Sequence, residues 1–199
     1  RVGDPLSFGA GESGVLWREG DEAVDLSGLG DVFAQPTLNP LMAEGRAAWE
    51  EAIAAARSHD GPRAPARDAG LHLPFEVADY VDFYSSLEHA TNLGRMFRPD
   101  QEPLLPNWRW LPVAYHGRAG SVVVSGTDVV RPRGQRKAPD EDVPTFGPSG
   151  RLDFELELGF VIGVPTELGQ AVPVDAFADH VFGVVLVNDW SARDIQAWE

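Results

Sequence analysis

The sequence predicts a mostly β, α+β protein. Two apolar segments flank a polar turn within residues 15–26, which is typical of a hairpin. Near the other end of the chain, residues 152–160 alternate strictly between apolar and other residues. Apolar residues at helical spacing are rarer, and the longest such stretch lies at about 40–58. Because strict alternation is typical of strands, we expect β structure to dominate, with a few helices.

The composition limits which partners and which kinds of site the protein can have. Hydrophobic residues make up 43% of the 199-residue chain, which is enough to form a buried core. A formal net charge of −15 disfavours phosphate backbones and anionic membrane surfaces as partners. The chain contains no cysteine, which excludes disulfides and thiolate metal sites. We therefore expect a cytoplasmic protein that binds neither nucleic acid nor membranes.

The N-terminal part is predicted to contain β structure over residues 1–35 and then a helix. Residues 15–18 and 23–26 are the two strands of the hairpin, and the polar residues 19–22 form its turn. Asn39 and Pro40 together resemble the start of a helix, since proline is favoured at the first helical position. Apolar residues at helical spacing then predict a helix from about 40 to 58.

A domain boundary is predicted near residue 70. Residues 58–70 are rich in Asp, Gly, Pro and Arg, which is typical of a linker. From residue 71 onward aromatic residues, histidines and short apolar runs become dense. We therefore divide the chain into an N-terminal domain of residues 1–70 and the start of a larger domain at 71–199.

Three further elements are predicted in the second part. Residues 85–88 resemble a capping box for a helix that extends to about residue 96. Residues 121–125 predict a short strand. Residues 131–150 are polar and contain several Pro and Gly, so we expect a long loop, which in a compact domain is usually functional or mobile.

The alternating segment 152–160 places its acidic residues together. Asp153, Glu155 and Glu157 fall on one strand face, opposite a face of Leu and Phe. Residues two apart on a strand lie about 7 Å from each other, so these like charges repel. Either this face is solvated or a cation lies between the carboxylates.

The apolar run 181–187 predicts a buried strand that ends just before Asp189. Ser191 and Asp194 resemble a capping pair for a helix that begins there. On that helix Arg193 and Gln196 are three residues apart and share a face, where they could bind an oxyanion or a carboxylate. The alternative is an N-terminal cap with a surface Arg–Asp pair.

His89 is a candidate catalytic histidine. It follows Asp82 by seven residues and has Tyr80 and Tyr84 nearby in the sequence. A single histidine can equally be structural, and the later cluster of Tyr115, His116, Gly117 and Arg118 can equally be a turn. No serine elbow, P-loop or dinucleotide-binding fingerprint occurs in the sequence.

Read together, these segments resemble the fumarylacetoacetate hydrolase family over nearly the whole chain. The stretches that carry the resemblance are long and specific: DYVDFYSSLEHATNLGRMFR (79–98), LPVAYHGRAGSVVVSGT (111–127), LDFELELGFVIG (152–163) and HVFGVVLVNDWSARDIQAWE (180–199). A weaker match includes DVFAQPTLNPLMAEGRAAWEEA (31–52). The resemblance implies a small N-terminal SH3-like β-barrel, a catalytic domain built as a β-sandwich-roll, and a homodimer.

The resemblance also implies a site. A Ca²⁺ or Mg²⁺ ion would be held by four carboxylates, namely Asp82, Glu155, Glu157 and Asp189. His89 matches the general base, and the developing negative charge would be stabilised by Arg193 and Gln196. The substrate-binding positions are matched by Tyr84, Arg98 and Tyr115, together with Arg193 and Gln196.

The implied reaction is hydrolysis of a carbon–carbon bond of 4-fumarylacetoacetate, a small diketo acid, to fumarate and acetoacetate in tyrosine and phenylalanine catabolism. The family pattern continues past residue 199 with a lysine and a glutamate of the catalytic site. We therefore expect residues 1–199 to be a fragment with little or no turnover alone. The alternatives are an acylpyruvase or a 2-keto acid hydratase or decarboxylase of the same superfamily, or a non-catalytic fragment stabilised by Ca²⁺.

Overall fold

The computed structural model describes residues 5–7 and 13–198, so the β prediction for 1–4 and 8–12 lies outside the described residues. The strands are β1 (Pro5–Ser7), β2 (Ser13–Glu19), β3 (Glu22–Asp25), β4 (Arg63–Pro65), β5 (Gly70–Leu71), β6 (Val81–Phe83), β7 (Ala114–His116), β8 (Arg133–Arg136), β9 (Thr145–Pro148), β10 (Leu152–Asp153), β11 (Leu156–Ile162), β12 (Val181–Asn188) and β13 (Ser191–Ala192). The helices are α1 (Asn39–Ala43), α2 (Arg46–Ser58), α3 (Leu87–Phe97), α4 (Phe177–His180) and α5 (Arg193–Gln196). Small sheets with a few helices confirm the prediction of a mostly β, α+β protein.

The chain divides into two compact units by its internal contacts. The first unit consists of Arg1–Phe75 and Val124–Glu199, and the second consists of Glu76–Val123. The division of this chain into domains 1–70 and 71–199 stays a prediction. None of the helices in the described part of the chain is long and apolar enough to span a membrane.

The first unit contains an antiparallel sheet of five strands in the order β4-β3-β2-β1-β5. Its central hairpin is the predicted one, with Glu19 paired to Glu22 around a tight turn. Gly20 has φ +61° at this turn, a conformation that glycine adopts without steric cost. The stretch 58–70, predicted as a linker, contains β4 and supplies the start of β5, the two edge strands. No pairing joins these edges among the described residues, so an SH3-like closed barrel is not confirmed.

The main core of the first unit lies where the hairpin meets the helices. It is built from Val15, Leu26, Phe33, Leu38, Leu41, Met42, Trp49, Ala52 and Ala56. Trp49 is 5% exposed, and its indole packs edge-on against Phe182 with a centroid separation of 5.1 Å. The start of β12 is thereby packed against α2.

The predicted helix at about 40–58 is in fact two helices, α1 and α2. The break falls at Gly45, which has φ +84° and cannot continue an α-helix in that conformation. The Trp49 indole N–H then donates to the carbonyl oxygens of Leu41 and Met42, at 3.1 and 3.0 Å. These bonds add a second donor to carbonyls at the end of α1 that already accept from the backbone N–H groups of Glu44 and Gly45, at 3.3 and 3.2 Å.

Strands β11 and β12 form a long antiparallel pair in which Leu158 lies opposite Leu186 and Phe160 opposite Val184. The strand predicted at 181–187 is confirmed, but the prediction that it is buried is wrong, because Val184 and Leu186 are 52% and 73% exposed. The apolar face of β11 is exposed as well. Phe177 of α4 packs edge-on against Phe160 with centroids 5.9 Å apart, but Phe160 is still 54% exposed. On β11 the opposite face, which carries Glu157, is the more buried one.

Two predictions between 121 and 150 are also wrong. Residues 122–125 have no strand, and Ala119–Ser121 is a 3₁₀ turn instead. Residues 131–150 contain the hairpin of β8 and β9, in which Gly134 pairs with Gly147. A Cβ at Gly134 would lie 3.0 Å from the Ile195 side chain, so this hairpin depends on packing against a distant helix.

In the second unit, α3 is the helix predicted after residue 85. Its N-cap is Ser86, whose hydroxyl accepts a hydrogen bond from the backbone N–H of His89 at 3.3 Å. The cap therefore lies one residue later than the predicted capping box. Strands β6 and β7 form an antiparallel pair beside it, and the backbone N–H of Gly117 donates to the Tyr80 carbonyl.

Candidate active site

The acidic segment of the first unit bends between β10 and β11. Glu155 lies at this bend, where its backbone N–H donates to the Asn188 side-chain oxygen at 3.2 Å and its carbonyl accepts from the Asp189 N–H at 3.0 Å. Glu157 lies on β11 opposite Val187. Both glutamates are half-buried, so the predicted same-face pair is turned away from bulk solvent.

Asp189 follows the last residue of β12 directly, as the sequence predicts. A carboxylate oxygen of Asp189 lies within 4.8 Å of one from Glu157. Two carboxylates at this separation repel each other, and a cation between them would relieve the repulsion. Their oxygen donors are the ligand type that Mg²⁺ and Ca²⁺ prefer, so these residues fit the metal that the resemblance implies.

Arg193 is the positive charge of this cluster. Its Nη2 lies 2.6 Å from Glu155 Oε1, and its Nε and Nη2 lie 3.2 and 3.1 Å from Asp153 Oδ2. The hydrogen bond to Glu155 is the largest cause that raises the pKa of Arg193 above its ordinary value, and Asp153 adds to it. The guanidinium is thus held in its charged form beside the carboxylates.

Gln196 lies next to Arg193 on α5, as their three-residue spacing predicts. Arg193 Nη1 donates to Gln196 Oε1 at 3.2 Å. The amide nitrogen of Gln196 is a neutral donor beside a fixed cation. Together the two side chains can stabilise a negatively charged oxygen.

The predicted capping pair of Ser191 and Asp194 is wrong. Ser191 lies in β13, and its hydroxyl donates to Glu155 Oε2 at 3.2 Å. Asp194 instead accepts from Ser149 and from the backbone N–H of Gly150. Short strand pairing between β10 and β13 delays the helix to residue 193, which separates both side chains from the N-cap position.

Asp82 and Tyr115 are cross-strand partners in the second unit, on β6 and β7. Residues that lie directly opposite each other project from the same face of a sheet. Asp82 is half-buried, and Tyr115 is 58% exposed. The pairing therefore presents a carboxylate and a phenol side by side.

His89 and Tyr84 are in contact in the same unit. Their rings meet edge to face with centroids 5.8 Å apart. The Tyr84 hydroxyl donates to the Ala90 carbonyl at 3.2 Å, and the Tyr84 carbonyl accepts from the Trp108 indole at 2.9 Å. Tyr84 is thus fixed from both ends, while His89 is exposed on the first turn of α3.

Arg98 follows α3, where its Nη2 donates to the Pro103 carbonyl at 2.8 Å. Tyr84 lines a cavity of about 320 Å³ within this unit. The other residues that line it are Phe83, Ser85, Trp108, Arg109, Leu111, Pro112 and Val113. Arg109 supplies the positive charge of this cavity, which is lined mainly by apolar and aromatic side chains.

The structure thus brings together Glu155, Glu157, Asp189, Arg193 and Gln196 within the first unit. Within the second unit it pairs Asp82 with Tyr115 and His89 with Tyr84.

Sequence reasoning gave no site role to Ser191 and Asn188, which hold Glu155, or to the ion pair of Asp153 with Arg193. The antiparallel alignment of 152–157 with 187–192 would have revealed these contacts, since it places them opposite each other.

Comparisons with known proteins identify the family of the chain. The family model described as Fumarylacetoacetate (FAA) hydrolase C-terminal matches residues 79–199. The chain is 55% identical over 185 residues to a protein named fumarylacetoacetase from Caenorhabditis elegans. Proteins of the same name from Homo sapiens and Arabidopsis thaliana are 49% and 47% identical to it over 184 residues each.

Each of these three alignments covers 85% of this chain and 44% of the relative. The chain thus spans less than half the length of these curated relatives. The family model, however, matches more than half of the chain and includes every predicted site residue. The chain therefore belongs to the fumarylacetoacetate hydrolase family.

Proposed function

We propose that this chain supplies the metal-binding and charge-stabilising residues of an enzyme that hydrolyses a carbon–carbon bond of 4-fumarylacetoacetate. The products would be fumarate and acetoacetate, as in the breakdown of tyrosine and phenylalanine. The observation that carries the proposal is the cluster of Glu155, Glu157 and Asp189 beside Arg193. The high identity to relatives named fumarylacetoacetase supports the choice of substrate.

The proposed metal is Ca²⁺ or Mg²⁺, with Glu155, Glu157 and Asp189 as ligands and Asp82 as the fourth ligand by resemblance. An all-carboxylate set favours such hard cations over zinc or copper. When bound, the ion would polarise the carbonyl oxygens of a β-diketone. Arg193 would release Glu155 to the ion while keeping its contact with Asp153.

The remaining steps belong to side chains of this chain. His89 would take a proton from water, so that the oxygen attacks the carbonyl carbon. The carbon–carbon bond then breaks, and its electron pair leaves as an enolate, whose negative charge Arg193 and Gln196 would stabilise. Tyr84, Arg98 and Tyr115 would bind the substrate, and the positive charge of Arg98 suits a carboxylate of a diketo acid.

For the natural-length gene product we propose the family's architecture and setting. This comprises an SH3-like N-terminal barrel, a β-sandwich-roll catalytic domain, the domain division near residue 70, a homodimer and a cytoplasmic location.

The first test is metal binding and turnover in a Glu157→Gln variant. Replacing one carboxylate oxygen by a neutral amide removes a charge from the ligand set. We expect Ca²⁺ and Mg²⁺ affinity to fall on the order of 10–100-fold, as when a metal site loses one of its supporting groups. Calorimetry on the natural-length product measures the affinity, and hydrolysis of 4-fumarylacetoacetate measures the turnover, which should fall with it.

Glu167→Gln is the matched control, because Glu167 is an exposed residue outside the cluster. It should leave both the affinity and the turnover unchanged. Equal metal binding in the two variants would refute the ligand assignment.

Turnover of an acylpyruvate in place of 4-fumarylacetoacetate would assign the protein to another branch of the superfamily. Full activity of His89→Ala would refute the proposed base.

A further inference from the structure

Helix α5 carries Arg193 and Gln196 but is too short to be stable alone. It spans only Arg193–Gln196, whereas isolated helices need about 12–15 residues to be even marginal in water. Its position must therefore come from contacts with the rest of the first unit. The backbone N–H of Arg193 donates to the Arg151 carbonyl at 2.9 Å, which holds only its first residue.

Asp194 supplies a much stronger attachment. Its Oδ1 accepts from the Ser149 hydroxyl at 2.5 Å, and its Oδ2 accepts from the backbone N–H of Gly150 at 2.8 Å. Arg136 Nη1 lies 4.0 Å from the same Oδ2. Both carboxylate oxygens are thus engaged by the turn that follows β9, and such charge-assisted bonds are stronger than neutral ones.

The donor side of this attachment is itself held by further hydrogen bonds. Ser149 is 3% exposed, its backbone N–H donates to the Pro132 carbonyl at 2.9 Å, and its own carbonyl accepts from Arg131 Nη1 at 2.9 Å. The hydrogen bond from Ser149 is the largest cause that lowers the pKa of Asp194 below its ordinary value. Asp194 therefore remains ionised at neutral pH.

Asp194 does not join the charge cluster that its neighbour forms. Adjacent residues on a helix point in different directions, and the contacts here follow that rule. Arg193 reaches Glu155 and Asp153, while Asp194 reaches Ser149 and Gly150. The two side chains therefore fix α5 from opposite sides, with Asp194 away from the reacting groups.

We propose that Asp194 is a positioning residue that holds α5 on the Ser149–Gly150 turn and thereby aims Arg193 at the site. The proposal rests on the proposed function for its catalytic consequence. The structural part of the proposal, that Asp194 places Arg193, does not depend on the identity of the substrate. Asp194 acts through Arg193, so its removal should matter only while Arg193 is present.

The test combines Asp194→Asn with Arg193→Gln in the natural-length gene product. Asparagine keeps the shape of the side chain but loses the charge, so the bonds to Ser149 and Gly150 weaken. We expect kcat to fall about tenfold or more in Asp194→Asn, and to show no further fall when the change is added to Arg193→Gln. Asp175→Asn, at an exposed aspartate outside α5, is the matched control and should leave kcat unchanged.

The Arg193 Nε–H resonance gives a readout that does not depend on turnover. We expect Asp194→Asn to speed its exchange with solvent, because the contacts to Glu155 and Asp153 loosen, while Asp175→Asn leaves it unchanged. If Asp194→Asn does not fold, Ser149→Ala replaces it and removes one of the two bonds.

An unchanged Arg193 resonance, or rate losses that multiply in the double variant, would overturn the positioning role. Absence of turnover in the wild-type protein would refute only the proposed function. In that case the resonance still decides the positioning role.

Discussion

The pair of Asp79 and His116 is a surface contact between the segment that precedes β6 and strand β7. His116 Nε2 lies 2.5 Å from Asp79 Oδ1, close to the pairing of Asp82 with Tyr115. The hydrogen bond with His116 is the largest cause that lowers the pKa of Asp79, and the backbone N–H of Tyr80 adds to it. Both side chains are well exposed, so the pair contributes little to stability.

Removing His116 should return the Asp79 carboxyl to ordinary behaviour. An aspartate whose pKa is lowered by folding contributes stability above its unfolded pKa of about 3.9, and the contribution is lost as the pH falls through the folded value. In His116→Ala we expect the pKa of Asp79 to rise toward that ordinary value, as followed by carboxyl NMR titration. His72→Ala, at an exposed histidine of the other unit, should not move it, and an equal pKa in wild type and His116→Ala would contradict this account.

The same residue-level contacts explain what could be predicted from the sequence. Arg193 and Gln196 are in contact because their spacing is local. The roles of Ser191 and Asp194 depend on partners at Glu155 and Ser149, far away along the chain. A capping pattern is only one of several uses for such side chains, so local spacing could not distinguish between them.

At the level of elements, Trp49 joins α1, α2 and β12. Its indole N–H bonds to Leu41 and Met42 at the end of α1, and its ring packs on Phe182. The helix break at Gly45 is thereby compensated by a side chain of the next helix. One residue thus contacts the end of α1 and the strand that leads to Asp189.

Trp49→Phe should be clearly destabilising. It removes the indole donor, at a cost of about 0.5–1.5 kcal/mol before any loss of packing, while the two carbonyls keep the backbone N–H donors of Glu44 and Gly45. Urea unfolding of the chain, followed by circular dichroism, should show a lower midpoint. Trp110→Phe is the control, because Trp110 is 84% exposed, and it should stay within about 0.5 kcal/mol of wild type. Equal midpoints for the two variants would show that the indole bonds contribute nothing.

The elements also differ in how far the sequence could predict them. The β2–β3 hairpin and α3 follow from local turn and capping chemistry, so their prediction needed no distant partner. The β8–β9 hairpin has glycines facing each other and no alternation, and it is held by Ile195 from α5. The exposed face of β11 and β12 could not be predicted either, because alternation defines two faces without deciding which one is covered.

For the whole chain, the exposed apolar face of β11 and β12 is the surface expected to cause self-association. Leu158 and Leu186 lie opposite each other and are 64% and 73% exposed, and Phe160 and Val184 continue the same patch. Contiguous apolar patches of this kind mark interaction surfaces or aggregation liabilities. Purified residues 1–199 are therefore expected to self-associate through this face.

A single charge on the patch should reduce that association. Leu186→Lys places an ammonium group in the centre of the face, where burying it against another apolar surface would be costly. Sedimentation velocity of residues 1–199 should shift toward the monomer in this variant. Leu168→Lys, at a fully exposed leucine outside the patch, adds the same charge and should leave the distribution unchanged. Identical sedimentation of the two variants would exclude this face as the contact.

The strand order β4-β3-β2-β1-β5 has a consequence for how the first unit folds. The central hairpin closes over a two-residue turn, whereas β1 meets β5 only after most of the N-terminal part has been traversed, with Leu6 opposite Leu71. Loop closure over longer stretches costs more chain entropy, and non-local pairings form more slowly. The hairpin can therefore form early during synthesis, while the β1–β5 ladder is the last pairing of this sheet to be completed.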